Sequence, residues 1–288
     1  MKNVVMEKDA KQELLGDSAT AAEVSDDAGV SEVAAVTKKS WNRRRIGLAS
    51  TLLLVAVAAA YGGFAFTNSG QAPVSVQPAP LSNQARFSLL KAGLENGTQT
   101  ALHIDSFEID DDMLVQLEGL AELETVIVDQ GKISDAGIVK FTTFPKLQLV
   151  RLRHSPITDQ GMATLAECKS LWYVNLPHAA CTSKGVGMLR AIPELRQLRI
   201  ASPKLGNEVC REIAKIQSLR GIHLIDIAVT NEGLKSLASL PYLESLYLDN
   251  SAVTASGWRW LYANYPQIHV HVNQSHQDYD PKAHPHHD

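Results

Sequence analysis

A repeated segment of 24 residues constrains the fold of this 288-residue chain more than any other feature. The stretches "ISDAGIVKFTTFPKL" from Ile133, "ITDQGMATLAECKSL" from Ile157 and "VTNEGLKSLASLPYL" from Val229 place the same residue types in the same order. Their alignment divides residues 99–266 into seven units without insertions, which begin at Gln99, Leu123, Leu147, Leu171, Leu195, Leu219 and Leu243. A period of this length is typical of solenoids, in which each unit buries its apolar face against the next unit.

Seven positions of each unit are apolar: the first, fourth, sixth, eleventh, sixteenth, nineteenth and twenty-second. Across all seven units only Gln99 and Asn264 break this rule, although hydrophobic residues make up 45% of the chain. The opening of a unit, such as "LQLVRL", alternates apolar and polar residues and predicts a strand. The later apolar positions are three residues apart, which predicts a helix or a helical turn behind a Ser or Thr N-cap.

The pattern LxxLxLxxxxITDxGLxxLxxLxx, followed by residues 99–266, resembles the leucine-rich repeat in its bacterial form, related to the ribonuclease-inhibitor and cysteine-containing subclasses. The resemblance implies an α/β fold, a right-handed solenoid with a parallel concave sheet and convex helices. Many leucine-rich repeats have Asn or Cys at the ninth position, where this chain has residues such as Gly131, Ser155 and Pro203. We therefore expect no asparagine ladder, and expect small residues and backbone hydrogen bonds to keep the turn tight.

The N-terminal part predicts a membrane anchor. Residues 1–45 are predicted to be a disordered cytoplasmic tail, which is acidic over residues 1–37 and ends in the basic block "KKSWNRRR". Residues 46–66 carry no charge and would form a helix of about 31 Å, enough to span a bilayer core. The basic block places the N-terminus in the cytoplasm and the repeats outside the cell membrane, in a periplasm or its equivalent. A cleaved signal peptide is the alternative interpretation.

The segments on either side of the repeats predict a tether, two caps and a tail. Residues 67–84 are uncharged and contain three prolines, which favours an extended tether. Residues 85–97 predict a capping helix, and residues 267–272, which continue the repeat register, predict a capping strand. The remainder, 273–288, is a polar, His-rich tail.

Polar and aromatic side chains at the solvent-facing strand positions form the candidate binding surface. We expect the concave face to bind a protein or an envelope polymer, because a wide sheet without a deep pocket suits a large partner. Arginines and histidines in the middle of the sheet predict a basic patch, and two tyrosines predict aromatic anchors. The candidates are His103, Arg151, Arg153, His154, Tyr173, Asn175, His178, Arg199, His223, Tyr247 and His271.

Histidines are concentrated at the C-terminus and suggest a metal site. His269 and His271 alternate along the predicted last strand, and His276 follows. Together with Asp278 and Asp280 they offer ligands for Zn²⁺, Cu²⁺ or Ni²⁺. The alternative is adventitious binding, because His-rich tracts attract such metals without a fixed ligand spacing. Apart from this possible metal we expect no cofactor.

Other classes of function are disfavoured. A net charge of −4 gives no case for nucleic-acid binding. Cys168, Cys181 and Cys210 lie at apolar positions and are predicted to be small core residues without disulfides. No motif of a known catalytic class is present, so we expect a binding protein and not an enzyme.

Three functional interpretations therefore remain. The first is a single-pass membrane protein whose repeats bind a partner, and the second is a periplasmic metal-handling protein that uses its His-rich C-terminus. The third and weaker one follows from the resemblance: eukaryotic members of the cysteine-containing subclass often carry an F-box and recruit substrates for ubiquitination. No F-box segment was found here, and a membrane anchor would oppose that role.

Overall fold

The computed structural model describes residues 80–277 and 280–283. The chain divides at Ser75 into two units, and everything described below belongs to the second, Val76–Asp288. The predicted tail, the predicted membrane span at 46–66 and most of the predicted tether lie outside the described residues. Within the described residues, no helix combines the length and the apolar character needed to cross a bilayer.

The repeats build a parallel sheet of eight strands, with a separate pair of two-residue strands beside it. The order of the large sheet is β1-β3-β5-β6-β7-β8-β9-β10, so each strand is hydrogen-bonded to the next one along the chain. The strands are β1 (Ala101–Ile104), β2 (Ile109–Asp110), β3 (Thr125–Val128), β4 (Gly131–Lys132), β5 (Leu149–Leu152), β6 (Tyr173–Leu176), β7 (Gln197–Ile200), β8 (Gly221–Ile225), β9 (Ser245–Asp249) and β10 (His269–Val272).

The strand register repeats the period of the sequence. Val126 pairs with Val150, and Val150 pairs with Val174, so that each residue faces its counterpart one unit later. The same register holds along the whole sheet, from the β1–β3 pair to the β9–β10 pair. The predicted α/β fold with a parallel sheet is therefore confirmed.

Helices follow the strands and begin behind Ser, Thr or Asp N-caps in most units. They are α1 (Asn83–Glu95), α2 (Asp111–Val115), α3 (Asp135–Ile138), α4 (Asp159–Leu165), α5 (Ser183–Met188), α6 (Val209–Ile213), α7 (Asn231–Ala238) and α8 (Ala255–Asn264), with 3-10 turns at Val139–Thr143 and Leu189–Ala191. The side chains of Ser134, Thr158 and Thr182 accept hydrogen bonds from backbone N–H groups two residues later, which satisfies donors that the helix leaves unpaired.

The apolar positions of all units form one continuous buried cluster. Leu102, Val150 and Leu246 are fully buried, and the same is true of most of their counterparts in other units. Burial of a side chain of this size stabilises the folded chain by about 1.5–3 kcal/mol. At the N-terminal end Phe87 and Leu94 of α1 join this cluster, and at the C-terminal end Val270 of β10 does so.

A ladder of hydrogen bonds joins neighbouring units through positions twelve and thirteen, in addition to the small residues and backbone bonds expected at the ninth-position turn. The side chain at position thirteen of one unit accepts two hydrogen bonds from the helix N-cap residue of the next unit, one from its backbone N–H and one from its hydroxyl. For Asp159 both distances, to the backbone nitrogen and to Oγ1 of Thr182, are 2.7 Å. The other pairs are Asp111 with Ser134, Asp135 with Thr158, Asn207 with Thr230 and Asn231 with Thr254.

The ladder also explains a column of glycines at position fifteen. A Cβ atom on Gly185 would collide with Oδ1 of Asp159, and one on Gly233 would collide with Oδ1 of Asn207. In the unit where Val209 replaces this glycine, the ladder residue one unit earlier is the short Ser183, whose hydroxyl donates instead to Glu208. The glycine is therefore present where a long acceptor side chain must pass.

Candidate functional site

The outer face of the sheet consists of side chains at positions three, five and seven of the units, opposite the buried positions four and six. Strand β3 shows this alternation in its burial, with Thr125 and Ile127 half-buried and Val126 and Val128 buried. The register places the position-five residues side by side, one strand apart, in the order His103, Ile127, Arg151, Asn175, Arg199, His223, Tyr247 and His271.

At the N-terminal end of this column, Asp129 holds two of the candidates. Arg151 Nε lies 2.9 Å from Asp129 Oδ1, and His103 Nε2 lies 3.9 Å from Asp129 Oδ2. The arginine is 7% exposed, whereas His103 is exposed. Arg151 is thus largely neutralised and fixed in place, and it adds less positive charge to the outer face than its sequence position suggests.

The middle of the column is more covered than the sequence interpretation expected. Tyr173 is 8% exposed and Asn175 is 1% exposed, and Nδ2 of Asn175 donates to the Tyr173 hydroxyl at 3.0 Å. Strands lie about 4.8 Å apart, so long side chains from neighbouring strands cover the shorter ones between them. Tyr173 therefore positions Asn175 and is not an exposed aromatic anchor.

The predicted basic patch is only partly assembled. Arg151 and Arg199 are separated by the strand that carries Asn175, and Arg153 and Arg199 are half-buried. His154 and His178 are exposed, and their rings stack with centroids 4.4 Å apart and an interplanar angle of 19°. The His154 backbone N–H donates to Nδ1 of His178 at 3.2 Å, which fixes the orientation of that ring.

The C-terminal part of the outer face is aromatic and rich in histidine. His223 Nε2 lies 2.7 Å from Asp249 Oδ2, a hydrogen bond that sets the ring orientation. Tyr247 stacks on His271 with centroids 4.4 Å apart and meets His269 edge-on at 6.2 Å. These contacts form a continuous row of rings from β8 to β10.

A tight turn after β10 brings the three candidate metal ligands together. Val272 and Ser275 form an isolated antiparallel bridge, and the two residues between them, Asn273 and Gln274, have φ values of 51° and 62°. Two successive residues with positive φ are typical of the type I′ turn that closes a two-residue hairpin. The chain therefore reverses, and His276 returns to the side chains of His269 and His271.

The three rings converge through their Nε2 atoms. His269 Nε2 lies 3.1 Å from His271 Nε2 and 3.4 Å from His276 Nε2. One ring nitrogen from each histidine lies within 4.8 Å of one from each of the others. His271 is buried, and the other two are half-buried. We name His269, His271 and His276 the histidine cluster.

Asp280 has a different place from the one suggested by the sequence. Its Oδ2 lies 2.8 Å from Nδ1 of His276, and its Oδ1 accepts from the Lys282 backbone N–H at 2.8 Å. The carboxylate is 6% exposed. Asp280 thus orients a histidine from behind instead of joining the ligands, while Asp278, the other predicted acidic ligand, lies outside the described residues.

Sequence reasoning named the histidines and arginines but did not assign their acidic partners. Asp129 and Asp249 occupy position seven of their units. Asp129 contacts the guanidinium of Arg151, and Asp249 contacts the ring of His223, each on an adjacent strand. A signal was present in the sequence, because an acidic residue at position seven lies on the same face as position five. The role of Asp280 had no such signal, since it depends on the turn at Asn273.

The cysteines lie where the sequence placed them. Cys168, Cys181 and Cys210 are free thiols in the apolar cluster. Burial raises the pKa of Cys168 to about 11 and the pKa values of Cys181 and Cys210 to about 12. Thiols of this kind are poor nucleophiles and poor metal ligands, because both roles need the thiolate.

Comparison with known proteins gives resemblance in structure alone. No family model matches the chain, and no curated protein matches it. A leucine-rich-repeat protein of Leptospira interrogans is similar with a TM-score of 0.45 and 16% identity, over 63% of this chain and 50% of that one. An internalin of Listeria monocytogenes is similar with a TM-score of 0.35 and 15% identity, over 65% of this chain and 64% of that one. The chain thus spans half of the first structure and less than two thirds of the second. The description of its repeat architecture rests on its own strand register.

Proposed function

We propose that the repeat domain is a binding module, not an enzyme, and that it recognises a protein through the outer face of its sheet. We infer further that this face lines the concave side of a right-handed solenoid of the leucine-rich-repeat type. The observation that carries the proposal is the in-register outer column of eight strands, in which six of the eight residues are arginine, histidine or tyrosine: His103, Arg151, Arg199, His223, Tyr247 and His271.

The size of the outer face suits a macromolecule. Eight strands about 4.8 Å apart span about 34 Å, which is wide enough for a standard protein interface. Tyrosine and arginine are the residue types that most often dominate binding energy in such interfaces. A small metabolite would need an enclosed pocket, whereas the outer face of the sheet is a wide and open surface.

The internal pairing of the outer face favours binding by reducing its entropic cost. The Arg151–Asp129 and His223–Asp249 pairs hold their side chains before a partner arrives. A preorganised surface loses less rotamer freedom on association, by about 0.5–1.5 kcal/mol for each side chain that is already fixed.

The proposed location is the outer side of a cell membrane. Residues 46–66 would anchor the chain, residues 67–84 would space the repeats from the bilayer, and residues 1–45 would remain in the cytoplasm. The uncharged length of residues 46–66 and the basic block before it support this arrangement. Carbonate extraction of membranes tests it, since a protein released with the soluble fraction, as after signal-peptide cleavage, would contradict the anchor.

Site-specific photo-crosslinking tests the binding face. A photoreactive phenylalanine is placed at exposed His103 or His178 on the outer face, and at exposed Arg190 on the helical side as a matched control. We expect both outer-face positions to trap the same protein in intact cells and the Arg190 position to trap none. Capture from Arg190 alone would contradict the proposal, and a protease-resistant adduct would indicate an envelope polymer in place of a protein.

A charge-reversed variant sharpens the test. Arg153 and Arg199 are better targets than Arg151, because both are more exposed than Arg151, which is buried against Asp129. The Arg153→Glu/Arg199→Glu variant should reduce crosslinking from His103 about tenfold, as expected for loss of interface arginines. The matched control is Arg190→Glu/Arg211→Glu on the helical side, which should leave the yield unchanged.

A further inference from the structure

We propose that His269, His271 and His276 bind a single Zn²⁺ ion through their Nε2 atoms, with Asp280 orienting His276 and one coordination position left open. The proposal is independent of the binding function above, because it rests on the histidine cluster and not on the identity of a partner. It also differs from nonspecific metal capture by a His-rich tail, since two ligands lie on β10 and the turn after that strand brings the third one to them.

The backbone supplies the first reason. His269 and His271 alternate along β10, so their side chains leave the strand on the same face. His276 reaches that face only through the turn at Asn273 and Gln274, where two residues accept positive φ. Non-glycine residues with positive φ are uncommon, and their concentration at one turn indicates a defined hairpin.

The distances fit a tetrahedral zinc ion. Imidazole nitrogens bound to zinc lie about 2.0–2.1 Å from the metal, so two of them on a tetrahedron lie about 3.3 Å from each other. The Nε2 atoms of His269 and His271 are 3.1 Å apart, and those of His269 and His276 are 3.4 Å apart. Two of the three pairs therefore have the spacing of a tetrahedral site, and the third pair, His271 and His276, lies within 4.8 Å and would move closer on binding.

The protonation of the rings gives a further argument. A carboxylate at Asp280 accepts a hydrogen bond from Nδ1–H of His276, and the neutral form of that ring then presents a lone pair at Nε2. His269 Nε2 lies within hydrogen-bonding distance of the Nε2 atoms of both other rings. A single nitrogen of a neutral imidazole either donates one hydrogen bond or accepts one, so it does not satisfy both contacts in the same way. A divalent cation accepts lone pairs from all three rings at once.

The surroundings hold the ligands in position. The contact between His276 and the buried Asp280 is the carboxylate–histidine arrangement that orients imidazole ligands in zinc sites. His271 is fixed by its stacking on Tyr247, with centroids 4.4 Å apart. Three histidines with a fourth position open to water or to another donor form a complete zinc site of the open type.

Calorimetric titration of the full chain with Zn²⁺ after removal of metal by a chelator tests the proposal. We expect one ion per chain, and a His276→Gln variant should bind at least about 100-fold more weakly, because it lacks one of three ligands. Asp280→Asn should weaken binding about 10- to 100-fold, the usual effect of removing an orienting carboxylate. Substitution with Co²⁺ should give the intense visible absorption of a tetrahedral site.

Two controls separate the histidine cluster from the rest of the chain. Removal of residues 284–288, which contain His284, His286 and His287, should leave affinity and stoichiometry unchanged. His178→Gln, at a stacked histidine pair on the same face, should also have no effect. Circular dichroism establishes that each variant is folded, and His269→Gln replaces His276→Gln if the latter is not.

Two results would overturn the proposal. One is a titration of the unaltered chain that shows no saturable site for Zn²⁺. The other is loss of binding on removal of residues 284–288 with binding retained in folded His276→Gln and His269→Gln variants, which would assign the metal to the tail.

Discussion

At the scale of single residues, the most informative feature is the pairing of a ladder residue with a glycine one unit later. Asp159 accepts from the backbone and hydroxyl of Thr182, and Gly185 leaves room for its carboxylate. Ser183 and Val209 break both columns together, which indicates that the two positions depend on each other. The sequence displayed both columns, but the link between them was visible only in three dimensions.

A double-mutant cycle tests this dependence. Asp159→Ala should lower the free energy of unfolding by about 1–3 kcal/mol through loss of charge-assisted hydrogen bonds. Gly185→Ala should lower it by about 1–3 kcal/mol, because the added Cβ meets the carboxylate of Asp159. We expect the double variant to be less destabilised than the sum of the two, as measured by urea unfolding. Full additivity would contradict the steric link, and Asp105→Ala at an exposed aspartate is the control.

The ladder also predicts a dependence of stability on pH. Burial opposes ionisation of Asp159, but hydrogen bonds from Thr182 and Gly185 and the charge of Lys184 hold the pKa of its carboxyl below the usual 3.8. A lowered pKa in the folded state stabilises the fold above pH 3.8, and this contribution disappears as the pH falls through the folded-state value.

Asp159→Asn should therefore be less stable than the unaltered chain at pH 7, with the difference decreasing as the pH falls below about 4. Urea unfolding at a series of pH values measures this difference. A constant difference across the series would show that the carboxylate charge has no role.

At the scale of elements, most of the fold could be predicted from the sequence, because the strand half and the helical half of each unit have different spacings of apolar residues. Alternation over the start of each unit indicated the strands, and the spacing of three indicated the helical half. The β2–β4 pair, Ile109–Asp110 with Gly131–Lys132, was not anticipated, since two-residue strands leave no periodic signal. The hairpin that completes the histidine cluster was missed for a related reason, because neither Asn273 nor Gln274 is followed by the glycine that commonly marks such turns.

The candidate site was predicted in its residue types and less well in its exposure. Register alone placed His103, Arg151 and Tyr247 in one column. Register does not specify which side chains contact each other, and so it did not show that Asn175 donates a hydrogen bond to Tyr173 or that both are buried. Such coverage depends on rotamers and on side-chain lengths in three adjacent strands.

Thiol labelling tests the burial of the apolar columns in the helical half. Cys168, Cys181 and Cys210 are at most 6% exposed, and their raised pKa values leave almost no thiolate at pH 8. A disulfide reagent should therefore modify none of the three in the folded chain and all of them in denaturant, as followed by the absorbance of the released thiol. Gln160→Cys, at an exposed position of α4, should react at once. Rapid labelling of native thiols in the unaltered chain would contradict the predicted core.

At the scale of the whole described domain, the outer face and the histidine cluster belong to one continuous sheet. Units contact mainly their immediate neighbours, so stability is approximately a sum of local terms along the stack. The face is thus held together along its width by contacts between neighbouring units. A partner on the central strands and a metal ion at β10 would occupy separate positions on the same surface.

The order of the strands also bears on how the domain is made. Because every strand of the large sheet pairs with its predecessor in the chain, no strand must wait for a distant segment before it finds its place. A chain that emerges N-terminus first, from a ribosome or through a translocation channel, can add one unit at a time to a growing template. Synthesis and assembly then proceed in the same direction, and β10, the last strand of the described sheet to be added, carries His269 and His271.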